Sequence, residues 1–144
     1  MMVHVSDLDG AVCECFRILR PRGKTLLYTT LETNLMEPRD AERLYRPLAI
    51  RLVRRESLER SFISTGFHIA RAEEIGSEMM EFYEEVDGRA SNWLMRIARM
   101  RRSKQQLVSA WGLETYETLL ALYHWMVYLV LGKLTASYYT LEKV

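Results

Sequence analysis

His4, Glu78, Glu81 and Tyr83 are the side chains whose types and positions suit them to move a proton or orient a nucleophile. An imidazole exchanges its proton near neutral pH, so His4 can serve as a general base or hold a substrate group. Glu78, Glu81 and Tyr83 lie within EMMEFYEEVD, where carboxylates and a phenol can orient an amine or a hydroxyl. Tyr28 and Thr30 close an apolar run and add two hydroxyls at its end. Each has a plainer reading: His4 as a loop histidine, the acidic run as a solvated face, Tyr28 and Thr30 as packing and turn residues.

Other chemistries find no support. Cys13 and Cys15 are two apart on a helical pattern, face different directions and read as free thiols. They and the three scattered histidines lack metal-ligand spacing, and no G-x-S-x-G nucleophile motif occurs. Twenty basic against nineteen acidic residues leave a formal charge of +1, so no chain-wide field selects nucleic acid. The cluster Arg96, Arg99, Arg101, Arg102 and Lys104 sits where a helix ends, a place that favours cations without any partner. The opening MMVHVSDLDG lacks the pattern of a signal peptide, which makes a reducing, cytoplasmic setting the expectation. The most apolar stretch, Leu119 to Leu131, is interrupted by His124 and is shorter than the roughly 20 residues of a membrane span.

The elements that must position these residues follow from periodicity. Ser6 or Asp7 can cap a helix whose apolar stripe is Leu8, Ala11, Val12, Cys15, Ile18 and Leu19, ended before Pro21. Gly23 supplies a turn, and Thr25 to Thr30 has the composition of a strand that is apolar on both faces, as in a central parallel strand. Leu31 to Arg55 reads as a lid or insertion, with about two helical turns over Arg39 to Tyr45. Ser57 opens a helix closed by Gly66, and Phe67 to Ile75 alternates as a strand. Helical patterns cover Ala90 to Arg102 and Glu114 to Leu131, the latter apolar nearly all round, and Ser137 to Glu142 has the makeup of a final strand. The order is that of a layered α/β domain, in which ligands sit beyond the carboxyl ends of strands. That rule places His4 to Ser6, Tyr28 to Glu32 and Ile75 to Tyr83 near any site.

The run DLDGAVCECFRILRPRGKTLLYTT, with the later SLERSFISTGFHIARAEEIG, resembles the second half of the class I S-adenosylmethionine-dependent methyltransferases, particularly the broad type 11 group. Asp7, Ala11, Glu14, Cys15, Arg17, Leu19, Arg20, Pro21 and Gly23 match that family's helix of the form D-x-x-x-A-x-x-E-C-x-R-x-L-R-P-G-G. The terminal SYYTLEKV is similar to its antiparallel last strand. Arg22 departs from the pattern, standing where the family has the first glycine of its turn; a type I turn tolerates it, but a positive φ penalises it.

The resemblance implies a partial Rossmann-like methyltransferase sheet over residues 1–144, one domain, with 78–134 a mostly helical insertion between the last two strands. It implies methyl transfer from S-adenosylmethionine to a small-molecule acceptor. His4, Val5 and Ser6 then lie on the cofactor side, and Tyr28, Thr30, Glu78, Glu81 and Tyr83 on the acceptor side. The family's glycine-rich cofactor loop has no counterpart, since no G-x-G occurs among the seven glycines. The expectation is therefore a truncated chain, a mis-started frame or one piece of a split protein, inactive by itself. The alternative is a non-catalytic module that pairs with itself, or with a partner supplying the missing strands, through its apolar helix and open sheet edge.

Overall fold

The computed structural model describes residues 2–144. A 3-10 turn (Met2–His4) leads into α1 (Leu8–Ile18), β1 (Lys24–Glu32), α2 (Pro38–Leu48), α3 (Arg55–Thr65), β2 (Phe67–Ile75), α4 (Glu78–Asp87), α5 (Arg89–Arg102), α6 (Lys104–Trp111), α7 (Leu113–Val130) and β3 (Leu134–Lys143). These gather into two units. One holds the chain up to Thr33, Ile50–Ile75 and Thr135–Val144; the other holds Asn34–Ala49 and Gly76–Leu134.

The first unit is a three-stranded sheet with α1 and α3. Asp7, rather than Ser6, caps α1: its Oδ1 accepts the Gly10 N–H at 2.9 Å. A Cβ at Gly10 would come within 2.2 Å of that carboxylate, so any other residue there would shift the Asp7 side chain from this position. The apolar stripe of α1, without Ile18, which is 65% exposed, then meets α3 and the sheet in a core of Val12, Leu31, Leu58, Phe62, Phe67, Tyr139 and Leu141. Two edge-to-face aromatic pairs lock it, Phe16 on Phe67 at 5.0 Å and Phe62 on Tyr139 at 5.3 Å.

In the sheet β3 lies between β1 and β2. It pairs with β2 antiparallel, Phe67 opposite Lys143 and Ile75 opposite Ala136, with an irregularity between Ile69 and Arg71. Toward β1, the Arg22 N–H donates to Lys143 O and the Lys143 N–H to Gly23 O, both at 2.9 Å. Further along, the rings of Tyr28 and Tyr138 meet at 4.9 Å, so these two strands also run in opposite senses. Hence β1 and β2 are parallel to each other but separated by β3. The composition of Thr25 to Thr30 suggests a central strand, yet among the described residues β1 is an edge, with Leu26 70% exposed.

Local structure differs from the sequence pattern at two places. His4 and Val5, which the resemblance sets at the exit of a strand, lie at and just after the end of a 3-10 turn (Met2–His4) instead. Helix α6 forms where no periodic pattern was legible, and none of its residues is buried, which removes the apolar stripe that would reveal it. The acidic run 78–87 is helical, in keeping with the mostly helical stretch expected over 78–134, with Met80 its buried residue.

In the second unit α7 packs against α2, α5, α6 and α4. Its buried residues are Tyr116, Ala121, His124, Val127 and Tyr128, whereas Leu122 and Leu131 stay exposed, so burial is one-sided rather than all round. Buried Asp40 organises the polar interior. Its carboxylate accepts from Tyr128 Oη at 2.8 Å, from Arg43 at 3.2 Å and from Lys133. Burial alone would raise the Asp40 pKa, but the hydrogen bonds from Lys133 and Tyr128 outweigh it and hold the carboxyl below its ordinary value. No helix among the described residues is long and apolar enough to cross a membrane.

Three tests follow from the first unit. Arg22 has φ 62°, a left-handed conformation costing a residue with a Cβ about 1 to 2 kcal/mol, so Arg22→Gly should raise the urea midpoint by roughly 0.5 to 1 kcal/mol of stability. Gly23→Ala should lower it, because a Cβ there would sit 2.7 Å from Arg20 O. Tyr139 is fully buried, and burial together with the charge of Glu59 pushes its phenol up to about 12 from 10.0. The native state keeps that proton to higher pH than the unfolded chain does. Stability is therefore intact below pH 10.0 and falls as pH rises toward 12, a loss that Tyr139→Phe should reduce in urea unfolding across that range.

Candidate functional site

The first unit encloses a cavity of about 290 Å³ at the carboxyl end of β1, the position where open α/β sheets receive ligands. Its walls come from three places. Val3, Val5, Ser6, Asp7, Leu8 and Asp9 lead from the 3-10 turn into α1; Thr29 and Thr30 begin the buried end of β1; Arg51, Val53, Ser57 and Leu58 lead into α3. Backbone bonds hold these segments together: Glu32 N–H donates to Val53 O at 3.1 Å, and Arg51 N–H to Val3 O at 2.9 Å. Glu32 and Arg54 form a parallel bridge. Part of the stretch that reads as a lid is thus a wall of this cavity.

Of the sequence-predicted residues, the structure brings Val5, Ser6 and Thr30 to the cavity. His4 is exposed on the 3-10 turn and is not among the lining residues. Tyr28 lies two residues before Thr30 on β1, and its ring is engaged with Tyr138. Glu78, Glu81 and Tyr83 belong to α4 of the other unit. There Glu81 accepts from Ser77 Oγ at 2.7 Å, and the Arg89 guanidinium lies 4.1 Å from the centre of the Tyr83 ring. Glu78 is exposed.

The sequence does not single out Asp9, Arg51 or Ser57. Arg51 and Ser57 reach the cavity through backbone pairing of residues 51–54, which leaves no side-chain signature. Asp9 had a signal, as a second acid just after the cap of α1, but its partner is remote: Ser61 Oγ donates to Asp9 Oδ1 at 2.5 Å from α3. Both acids of the cavity are therefore engaged, Asp7 by the Gly10 N–H and Asp9 by Ser61. The one buried side-chain polar atom lacking a partner among the described residues is Ser137 Oγ on β3, which does not line the cavity. Among the described residues, no three His, Cys, Asp or Glu side chains gather closely enough to hold a metal ion.

No family model matches this chain, and no curated protein does. Solved structures do match its fold. Nearly the whole chain, 99%, superposes on the mycolic acid cyclopropane synthase CmaA1 complexed with SAH and CTAB, at TM-score 0.66 and 17% identity. The same share superposes on phosphoethanolamine N-methyltransferase 2 of Haemonchus contortus, in complex with phosphomonomethylethanolamine and S-adenosylhomocysteine, at TM-score 0.58 and 17% identity. It also superposes on the 4+2 cyclase SpnF at TM-score 0.57 and 19% identity. The chain spans 52%, 31% and 46% of those three structures, respectively.

Because the Asp7 carboxylate serves the end of α1, Asp7→Ala should cost about 1 kcal/mol of stability in urea unfolding. Asp7→Ser, which restores an acceptor, should recover most of it. Equal losses in the two variants would show that the cap contributes little.

Proposed function

We propose, from the premise that this chain carries part of the methyltransferase fold, that it is the later half of an S-adenosylmethionine-dependent enzyme methylating a small-molecule acceptor. The observation that carries this is the coverage: 99% of the chain superposes on only 31% to 52% of the matched structures. The fold alone does not fix the reaction, since a 4+2 cyclase shares it. The helix motif from Asp7 to Gly23 favours the methyltransferase reading within that fold. Free Cys13 and Cys15 fit a cytoplasmic setting.

The residues present do not compose a cradle for the whole cofactor. A nucleoside joined to an amino acid needs separate anchors for its charged, sugar and base parts, whereas both carboxylates of the cavity are engaged and no orphaned polar atom faces it. Its volume of about 290 Å³ is at the small end of ligand pockets, which run from about 300 to 1,000 Å³. On this reading Val5 and Ser6 contribute one wall of the cofactor side, Thr30 one wall of the acceptor side, and the remaining anchors come from sequence outside these residues. His4 is assigned as the base or positioning group; Tyr28, Glu78, Glu81 and Tyr83 are assigned to the acceptor side.

Methyl transfer from a sulfonium is an in-line displacement, so the protein's contribution is alignment of two reactants, exclusion of water and removal of the nucleophile's proton. A chain that aligns neither reactant fully should be inactive. Calorimetric titration of S-adenosylmethionine into the folded 144-residue protein should show no binding in the micromolar range. Micromolar binding would overturn the claim that this chain is insufficient.

A second reading rests on the exposed edge strand. Leu26 and Tyr28 on β1 are 70% and 39% exposed, and an unpaired apolar edge is a template for another strand. The chain then acts as a pairing module, through a second copy or a partner that supplies strands. Sedimentation at increasing concentration separates the two, because a monomer throughout removes self-pairing.

A further inference from the structure

We propose that the second unit binds the phosphate group of a small molecule, in a cavity where Arg43 and Arg46 of α2 meet Arg101 of α5 beside His124 of α7. The inference stands apart from the methyltransferase reading. The cavity measures about 300 Å³ and is completed by Glu42, Pro47, Glu117 and Leu120.

Two helices remote in sequence bring three guanidiniums to one space, Arg43 and Arg46 from α2 and Arg101 from α5, an arrangement that needs a reason because like charges repel. Arg43 is compensated: one of its nitrogens donates to Asp40 Oδ1 and to Tyr128 Oη, each at 3.2 Å. Arg46 and Arg101 are not compensated in this way. Among the described residues neither forms an ion pair, although Glu42 and Glu117 also line the cavity. Three arginines against two glutamates leave one net positive charge around the space.

His124 sets the position of Arg101. The imidazole is 7% exposed, and its Nδ1 lies 2.7 Å from Leu120 O, a carbonyl that only accepts, so Nδ1 carries the hydrogen. Nε2 then offers a lone pair, and Arg101 Nη2 donates to it at 3.3 Å. Burial holds this histidine below its ordinary pKa against the hydrogen bond to Leu120, and the charges of Arg101 and Arg43 act with burial, so the ring stays an acceptor. Arg43 and Arg101 are thereby braced through one nitrogen each, leaving the rest of each fork to bond a ligand. A forked donor set of this kind matches the oxygens of a phosphate. The sequence shows Arg101 only as one of a basic cluster ending a helix; its meeting with Arg43 and Arg46 is a product of the fold.

The test follows the histidine signals in the proton spectrum of the full chain while inorganic phosphate is added at constant ionic strength. The His124 resonance should shift and saturate, while those of exposed His4 and His68 barely move. Arg46→Gln and Arg101→Gln, each checked for a native circular dichroism spectrum, should weaken the apparent affinity about tenfold or more. Glycerol phosphate and phosphatidic acid vesicles form the two further arms: saturation by the first places the phosphate on a free metabolite, and Arg-dependent co-sedimentation with the second places it on a lipid headgroup. A linear drift of all three histidine signals, or affinity unchanged in both arginine variants, overturns the proposal.

Discussion

One ammonium group holds the first unit together. Lys143 Nζ donates to Phe16 O at 2.8 Å and to Leu19 O at 3.0 Å, satisfying carbonyls that the end of α1 leaves open, and it lies 4.6 Å from the centre of the Phe16 ring. The backbone of the same residue exchanges hydrogen bonds with Arg22 and Gly23 in the turn that follows. The last residue of β3 therefore fixes where α1 stops, how the chain turns and in what register β1 begins. This binding explains why Arg22 tolerates a left-handed conformation: its N–H is committed to Lys143 O, and the turn has no freedom to relax. The cavity at the far end of β1 inherits its geometry from that joint.

The second unit is organised by charge rather than by a closing strand. Asp40 gathers Tyr128, Arg43 and Lys133 in a buried network, and a buried charge of this kind is tolerable only when fully bonded. Satisfying Asp40 commits one nitrogen of Arg43 and fixes α2 against α7. His124, one turn before Tyr128 on α7, repeats the device with Arg101 of α5. Two buried polar residues on one helix thus brace two arginines, Arg43 through Tyr128 and Arg101 through His124.

Fold and activity separate in this chain. The sheet, with its antiparallel central strand, and its helical face are shared with the matched structures, and superposition extends over nearly the whole length. Chemistry on such a fold depends on side chains free to hold a ligand, and the two acids of the cavity are already engaged in capping α1 and in joining α1 to α3. A structural role for both cavity acids is the physical reason that matching the fold does not by itself deliver the site.

What the sequence determined is what local physics controls. The stripe of α1 and its stop before Pro21, the glycine ending α3, the alternation of β2 and the motif from Asp7 to Gly23 are short-range patterns, and each appears as an element or a fold match in the structure. Of the candidate residues, Val5, Ser6 and Thr30 were legible because the ends of strands and helices are legible. The tertiary structure alone decided the rest: that β3 separates β1 from β2, that residues 51–54 wall the cavity, that Ser61 meets Asp9, and that Arg43, Arg46 and Arg101 converge. Those contacts join residues far apart in the chain through backbone pairing or single polar bonds. Neither leaves a periodicity that a sequence can display.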